Sequence, residues 1–345
     1  MRVRQLDNSR VGAYEEFLLR RPTTLLFQSW AYQRLLASLL STENRSMVVE
    51  SDDGRICAAL PLMSREGVHG RVYNSLPYYG SNGGVISDDP AAAAMLVSSF
   101  NEISAGSEVA SATLVSNPLD ETDYGALAHD LSDSRIGQFT PIAFETNHAE
   151  RLMDSFHHKT RNMVRKAGKL GVTVERDEGA LEFVAAVHRE NMAEIGGRAK
   201  SPRFFELVPA HFRAGADFKV YIASLGGEAV AGLLVFYFNR TAEYYTPVVR
   251  KGYRDTQALS LTIFSAMTDA SREGFRRWNW GGTWANQDGV YRFKKRWGTV
   301  DHPYHYYTRL RNVALRNLDA KSLLDAYPDF YVLPFSALQP GVTVN

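Results

Sequence analysis

The sequence predicts an α/β (α+β) chain made of two copies of one unit, each a mixed, mostly antiparallel sheet flanked by helices. Three observations predict it. The 345 residues exceed one ordinary hydrophobic core and suit two. The order helix, hairpin, strand, helix, strand occurs twice. The two hairpins also align: at a constant offset of 173, Gly54 lies over Gly227, Ala58 over Ala231, Ala59 over Gly232 and Leu60 over Leu233.

In the first copy, apolar residues at 32, 35, 36, 39 and 40 after Gln28-Ser29-Trp30 share one helical face. Two apolar runs, Met47–Val49 and Ile56–Met63, flank Asp52-Asp53-Gly54, a hairpin signal because Gly accepts positive φ. A strand-like segment around 72–79, a helix over about 90–104 and a strand at Ala112–Val115 follow. In the second copy the helix runs over about 178–195, and the hairpin joins Val220–Ser224 to Ala229–Phe236 through Gly226-Gly227. A strand at 242–249, a helix at 256–273 and a strand at Arg277–Trp280 complete it. The domains are placed at 1–145 and 146–310.

Charge divides with the copies. Residues 1–145 hold 11 Arg, no Lys and 18 acidic residues, a net of −7, whereas residues 146–345 hold 28 basic and 20 acidic residues, a net of +8. An anionic substrate therefore belongs with the second copy. The single cysteine, Cys57, excludes an internal disulfide and a Cys-rich metal site. No HxxxH or HExxH pattern supports a metal. The N-terminus lacks the apolar core of a signal peptide, no run reaches the ~18–20 apolar residues of a membrane span, and a cytoplasmic location is expected. Peripheral membrane contact stays compatible with this, nothing points to DNA, and the oligomeric state is not encoded legibly.

Two segments carry candidate chemistry. Phe156–Gly171 reads as a basic helix: Phe156, Met163, Ala167 and Leu170 at near-helical spacing, Lys159, Arg161, Arg165, Lys166 and Lys169 on the rest, and Gly171 as its stop. Arg161 and Arg165 offer bidentate contacts to phosphate and Lys159 a point charge. Residues 277–298 hold four of the five tryptophans, with Gly281, Gly282, Gly289 and Gly298 and the basic residues Arg292, Lys294, Lys295 and Arg296. Paired glycines before a polar loop suit close approach of a ligand to backbone. Trp284, Asn286 and Gln287 suit stacking and hydrogen bonding there.

Gly289–Gly298, GVYRFKKRWG, resembles the G-x-x-x-F-K-x-x-[FW]-G signature of FemAB-type proteins, which include aminoacyl-tRNA-dependent transferases of peptidoglycan bridges and related envelope acyltransferases. His157–Gly171, Leu76–Gly84 and Met192–Phe205 are similar, in order, to three other family segments, so the resemblance covers about residues 25 to 308. It implies two GNAT-like (acyl-CoA N-acyltransferase type) domains, the first completed by residues 311–345. It also implies N-acyl or N-aminoacyl transfer to an amine of an envelope precursor, such as a peptidoglycan peptide or an amino sugar. Lys294, by the cleft between the domains in this family, would stabilise developing charge. Tyr78, Tyr79 and Asn82 would meet the acceptor, and Tyr291 belongs to the signature itself.

The donor is left open. Enzymes using coenzyme A carry a [QR]-x-x-G-x-[GA] loop, and here Arg254-Asp255-Thr256-Gln257-Ala258-Leu259 keeps the Arg but neither small residue. Aminoacyl-tRNA is the other donor, although no inserted charged helical arm is present. No tightly bound cofactor is expected. Asp255, Asp288 and Glu243 are candidate bases by charge alone. The competing reading is a non-catalytic RNA- or nucleotide-binding module on a degenerate scaffold of the same kind.

Overall fold

The structure is a computed structural model and describes residues 1–78, 82–284 and 286–338. In chain order its main elements are β1 (Arg2–Gln5), α1 (Val11–Arg20), α2 (Trp30–Leu40), β2 (Glu43–Asn44), β3 (Met47–Glu50), β4 (Ile56–Leu60), β5 (Met63–Arg65), β6 (Arg71–Asn74), β7 (Ile86–Ser87), α3 (Pro90–Ser104), β8 (Val109–Val115) and β9 (Leu131–Pro141). There follow α4 (His148–Ser155), α5 (His158–Lys169), β10 (Thr173–Arg176), α6 (Leu181–Glu194), α7 (Pro202–His211), β11 (Phe218–Leu225), β12 (Glu228–Phe238), β13 (Thr241–Val249), α8 (Ala258–Arg272), β14 (Arg277–Thr283), α9 (Asp288–Lys295), β15 (Val300–Leu310) and α10 (Ala320–Ala326). The chain divides into two compact units, Met1–Arg135 with Pro303–Asn345, and Ile136–His302. Both crossings fall inside strands, β9 and β15, away from the sequence-based limits 145/146 and 310/311.

In the first unit one sheet has the order β1-β3-β4-β7, and β6 lies parallel to β8. The chain's last segment supplies a strand, since β15 pairs antiparallel with β8 from Tyr306↔Val115 to Leu310↔Ser111. Asp89 caps α3 by accepting from Ala91 N, and Pro90 sits at the first helical position, where a missing N–H costs nothing. The face Ala92, Leu96, Val97 and Phe100 then packs on Val49, Ala58, Leu60, Ala112 and Leu114. The strand expected over 72–79 stops at Asn74. Leu76 (φ 69°) and Tyr78 (φ 80°) adopt left-handed backbone that no strand continues through.

In the second unit the order is β10-β11-β12-β13-β14-β9. The β11–β12 hairpin turns at Gly226 and Gly227, φ 61° and 85°, values that require glycine at a tight turn. α8 carries the chain from β13 to β14, which pair parallel, as a strand–helix–strand crossover allows. Its buried face, Ile263, Ala266, Met267 and Ala270, joins a core with Leu233, Val235, Trp278, Trp280 and Trp297. In each unit, then, a helix links two parallel strands, which is the duplication read from the sequence.

Candidate functional site

β13 and β14 pair only from Thr241↔Arg277 to Glu243↔Asn279, although β13 runs on to Val249 and β14 to Thr283. The cause lies in β14. Gly281 takes φ 72°, and the register with β9 shifts between Asn279 and Gly282, which together form a glycine bulge that bends the strand away. A wedge opens between two neighbouring strands, and Asn279 sits at its root. Its Nδ2 donates to Glu243 Oε2 at 2.7 Å, and its Oδ1 accepts from Gly281 N at 2.8 Å. Glu243 and Asn279 are both buried, so the side chain that fixes the bulge also gives one oxygen of a buried carboxylate its donor.

Lys294 reaches this strand from α9. Burial has it 6% exposed, and its Nζ donates to Gly281 O (3.2 Å), Gly282 O (3.0 Å) and Thr283 Oγ1 (2.9 Å). Thr283 in turn donates to Gln138 Oε1 at 2.9 Å. No carboxylate faces the ammonium in this set, and desolvation pushes the amine down to about 8. The chemical result is a positive charge of lowered pKa, fastened to the bent end of β14. All three N–H groups are engaged, so Lys294 holds the Gly281-Gly282 backbone in place. Direct donation to a substrate requires exchange of one acceptor.

The signature around it is helical as far as Lys295. α9 packs Phe293 against Trp280 (centroids 6.0 Å) and leads into Trp297, which lies tilted against Trp280 (5.4 Å) and edge-to-face with Phe156 (5.0 Å). Thr140 ties the cluster, accepting from Trp280 Nε1 and donating to Trp297 O, each at 2.9 Å. Three of the four tryptophans are therefore core, and Trp284 alone of these is exposed, at 40%. Trp284 N is held by Gln287 Oε1, and Asn286 and Gln287 are exposed beside it. Tyr291 donates to Asp301 Oδ2 at 2.7 Å, which raises its phenol, and Asp301 also pairs with Lys295.

The remaining predicted residues fall in several places. On α5, Lys159 and Arg165 are exposed, while Arg161 is half-buried and donates to Phe156 O, capping the segment that precedes its own helix. Arg254 is engaged by Glu194, which also holds Lys251. Gln257, left-handed at φ 62°, folds its amide onto Arg254 O where α8 begins. Tyr78 is half-buried, its N donating to Asp329 O, and Asn82 is buried with its carbonyl accepting from Gln28. Tyr79 lies outside the described residues. Of the candidate bases, Glu243 is the buried one. Asp255 and Asp288 are exposed.

Two groups escaped the sequence reading. Lys200, before α7, has its amine lowered to about 8 by burial and lies 5.2 Å from the Tyr245 ring on β13. His188 accepts from Lys200 N at 3.1 Å, and burial pushes it down to about 4. Asn279 was visible as a polar residue between Trp278 and Trp280, a position where an amide must find buried partners. Among the described residues no His, Cys, Asp or Glu group could hold a metal ion, and no helix is long and apolar enough to cross a membrane.

Residues 154–295 match the model of an acetyltransferase (GNAT) domain. That stretch contains the wedge, α5 and Lys294. The whole fold is similar to that of FemX, with TM-score 0.72 and 17% identity over 91% of this chain and 98% of that one. It is also similar to the C-terminal domain of a putative lysylphosphatidylglycerol synthetase from Agrobacterium fabrum (TM-score 0.56, 12% identity, 94% of this chain and 99% of that). A tandem GNAT protein from the clavulanic acid biosynthesis pathway has TM-score 0.50 and 13% identity over 90% and 98% of the two chains. No curated protein matches the sequence. The fold is that of tandem GNAT proteins, and fold and domain match are those of acyltransferases.

Proposed function

We propose that this protein is an N-acyltransferase that moves an acyl or aminoacyl group from an activated donor to an amine on a cell-envelope precursor. The observation that carries the reading is Lys294, a buried ammonium without a carboxylate partner among its hydrogen bonds, fixed beside a strand wedge. Amide formation needs a neutral amine to attack an activated carbonyl, and negative charge then gathers on the carbonyl oxygen. A cation in a dry site lowers that charge's energy far more than it would in water. The edge of β13 beyond Glu243, which β14 leaves unpaired and Asn191 closes at Val249, supplies backbone groups in between to which an extended, amide-bearing donor can add.

The donor end favours an aminoacyl ester over a coenzyme A diphosphate. At the start of α8 the Glu194 carboxylate holds the Arg254 guanidinium that a diphosphate would use. The exposed cations of α5, Lys159, Arg165, Lys166 and Lys169, have no ion pair among the described residues and suit a polyanion such as tRNA. This basic face equally favours the second reading, a binding module without turnover. Envelope-related names among similar folds, FemX and the lysylphosphatidylglycerol synthetase, support the acceptor class.

The test is mass spectrometry of reactions supplied separately with acyl-CoA and with charged tRNA, against amino sugars and muropeptide precursors. The proposal expects a product heavier by one acyl or aminoacyl group in at least one donor arm. Salt-sensitive RNA binding with no product in any arm would leave the binding module as the function.

A further inference from the structure

The acidic first unit contains one concentrated positive spot, built around a buried carboxylate. Glu50 on β3 has a fully buried side chain, yet three guanidiniums converge on it: Arg4 Nε at 2.9 Å, Arg10 Nε at 2.9 Å and Arg2 Nε at 3.6 Å. The β1–β3 ladder sets this up. Arg2 is registered opposite Glu50, and Arg4, two residues on, shares its face of the strand. Arg10 arrives from the end of the 3-10 turn Asn8–Arg10.

One guanidinium neutralises one carboxylate, and three leave an excess. The nearest approach in each pair is an ion-pair contact through Nε, the inner nitrogen, and the Arg4 and Arg10 side chains remain 45% and 37% exposed. Between them opens a cavity of about 530 Å³ lined by Arg4, Gln5, Asp7, Ser9 and Arg10. The one carboxylate in that lining, Asp7, is already held by Ser9 N (2.8 Å) and Ser9 Oγ (2.5 Å). Three cations against Glu50 and Asp7 give a local net of +1, within residues 1–145 whose net is −7. Such a spot inside an acidic region does not follow from general basicity.

We propose that this cavity is a binding site for a phosphate group, with Arg4 and Arg10 as its two forks and Glu50 as the buried post that aims them. Guanidinium forks match a tetrahedral oxyanion bidentately, and anchoring at Nε removes side-chain freedom that binding would otherwise have to freeze. The site is independent of the acyl-transfer reading, since neither Lys294 nor α5 takes part. The phosphate can belong to a free small molecule or to a lipid headgroup.

The full chain would be titrated calorimetrically at low ionic strength with inorganic phosphate, and separately with vesicles of phosphatidylglycerol and phosphatidylcholine in equal parts. Saturable binding in the first arm assigns a free phosphate, and binding in the vesicle arm alone assigns a headgroup. In the arm that binds, Arg4→Gln and Arg10→Gln should each raise Kd about tenfold, one charge-assisted contact's worth. Arg2→Gln, outside the cavity lining, should change Kd less than about threefold, as a screened surface charge does. Should either Gln variant fail to fold, Arg10→Lys keeps the charge, loses the fork, and should still weaken binding several-fold. No saturable binding in either arm, or an equal loss from Arg2→Gln and Arg4→Gln, overturns the proposal.

Discussion

Replacing Lys294 by Met tests the buried ammonium without requiring knowledge of any substrate. Its amine is pushed down from 10.5 to about 8 in the folded protein by burial. The unfolded chain returns it to its ordinary value near 10.4. Between pH 8 and 10.5 the unfolded state therefore holds the extra proton, and linkage makes stability rise with pH through that window. Integrated from pH 7 to pH 9.5, the gain is about 2 kcal/mol, from a full shift worth about 3 kcal/mol. Lys200, also lowered to about 8, contributes equally to both proteins and drops out of the comparison. The assay is urea denaturation of wild type and Lys294→Met at pH 7 and pH 9.5. Wild type should gain about 2 kcal/mol relative to the variant over that interval. A difference that stays constant within about 0.5 kcal/mol would mean that the ammonium titrates as it does in water, and the burial argument would be refuted.

Other perturbations probe other parts of the account. Trp297→Ala empties the centre of the aromatic cluster and should cost about 3–5 kcal/mol, read as a large fall in urea midpoint. Gly281→Ala meets no atom within 4 Å but is forced to φ 72°, so it should cost about 1 kcal/mol while lowering turnover more than stability. Converting Lys159, Arg165, Lys166 and Lys169 to Gln should leave the melting temperature within a few degrees. It should also reduce the salt dependence of RNA binding, with a slope smaller by roughly 3 for single strands, measured by filter binding at several salt concentrations. Thr140→Val removes the hydroxyl that joins Trp280 to Trp297 O and should destabilise by about 1–3 kcal/mol.

The repeated hairpins, the α3 and α8 helices and the basic helix ended by Gly171 were legible because each rests on local grammar: an Asp-Gly or Gly-Gly turn, a 3.6-residue apolar period, a cap. What was not legible depends on distant partners. α9 went unread because its polar face and glycine mask the period, and the packing of Phe293 on Trp280 supports the helix. The strand read over 72–79 failed at left-handed Leu76 and Tyr78, residue types whose propensity gives no warning of positive φ. Arg254 looked available to phosphate until Glu194, 60 residues earlier in the chain, was found beside it. Lys294 was singled out by its motif, but its three acceptors were not, since two are backbone carbonyls exposed by a glycine bulge. Cys57 and the charge division say what is excluded, and composition alone names no site.

The central claim is that Lys294 lowers the barrier to acyl transfer. It is tested most directly by single-turnover rates of wild type and Lys294→Met with the donor and acceptor that mass spectrometry identifies. Loss of one preorganised electrostatic contact predicts a rate about 10²–10³-fold lower with the fold intact. An unchanged rate in a folded Lys294→Met protein would contradict the account.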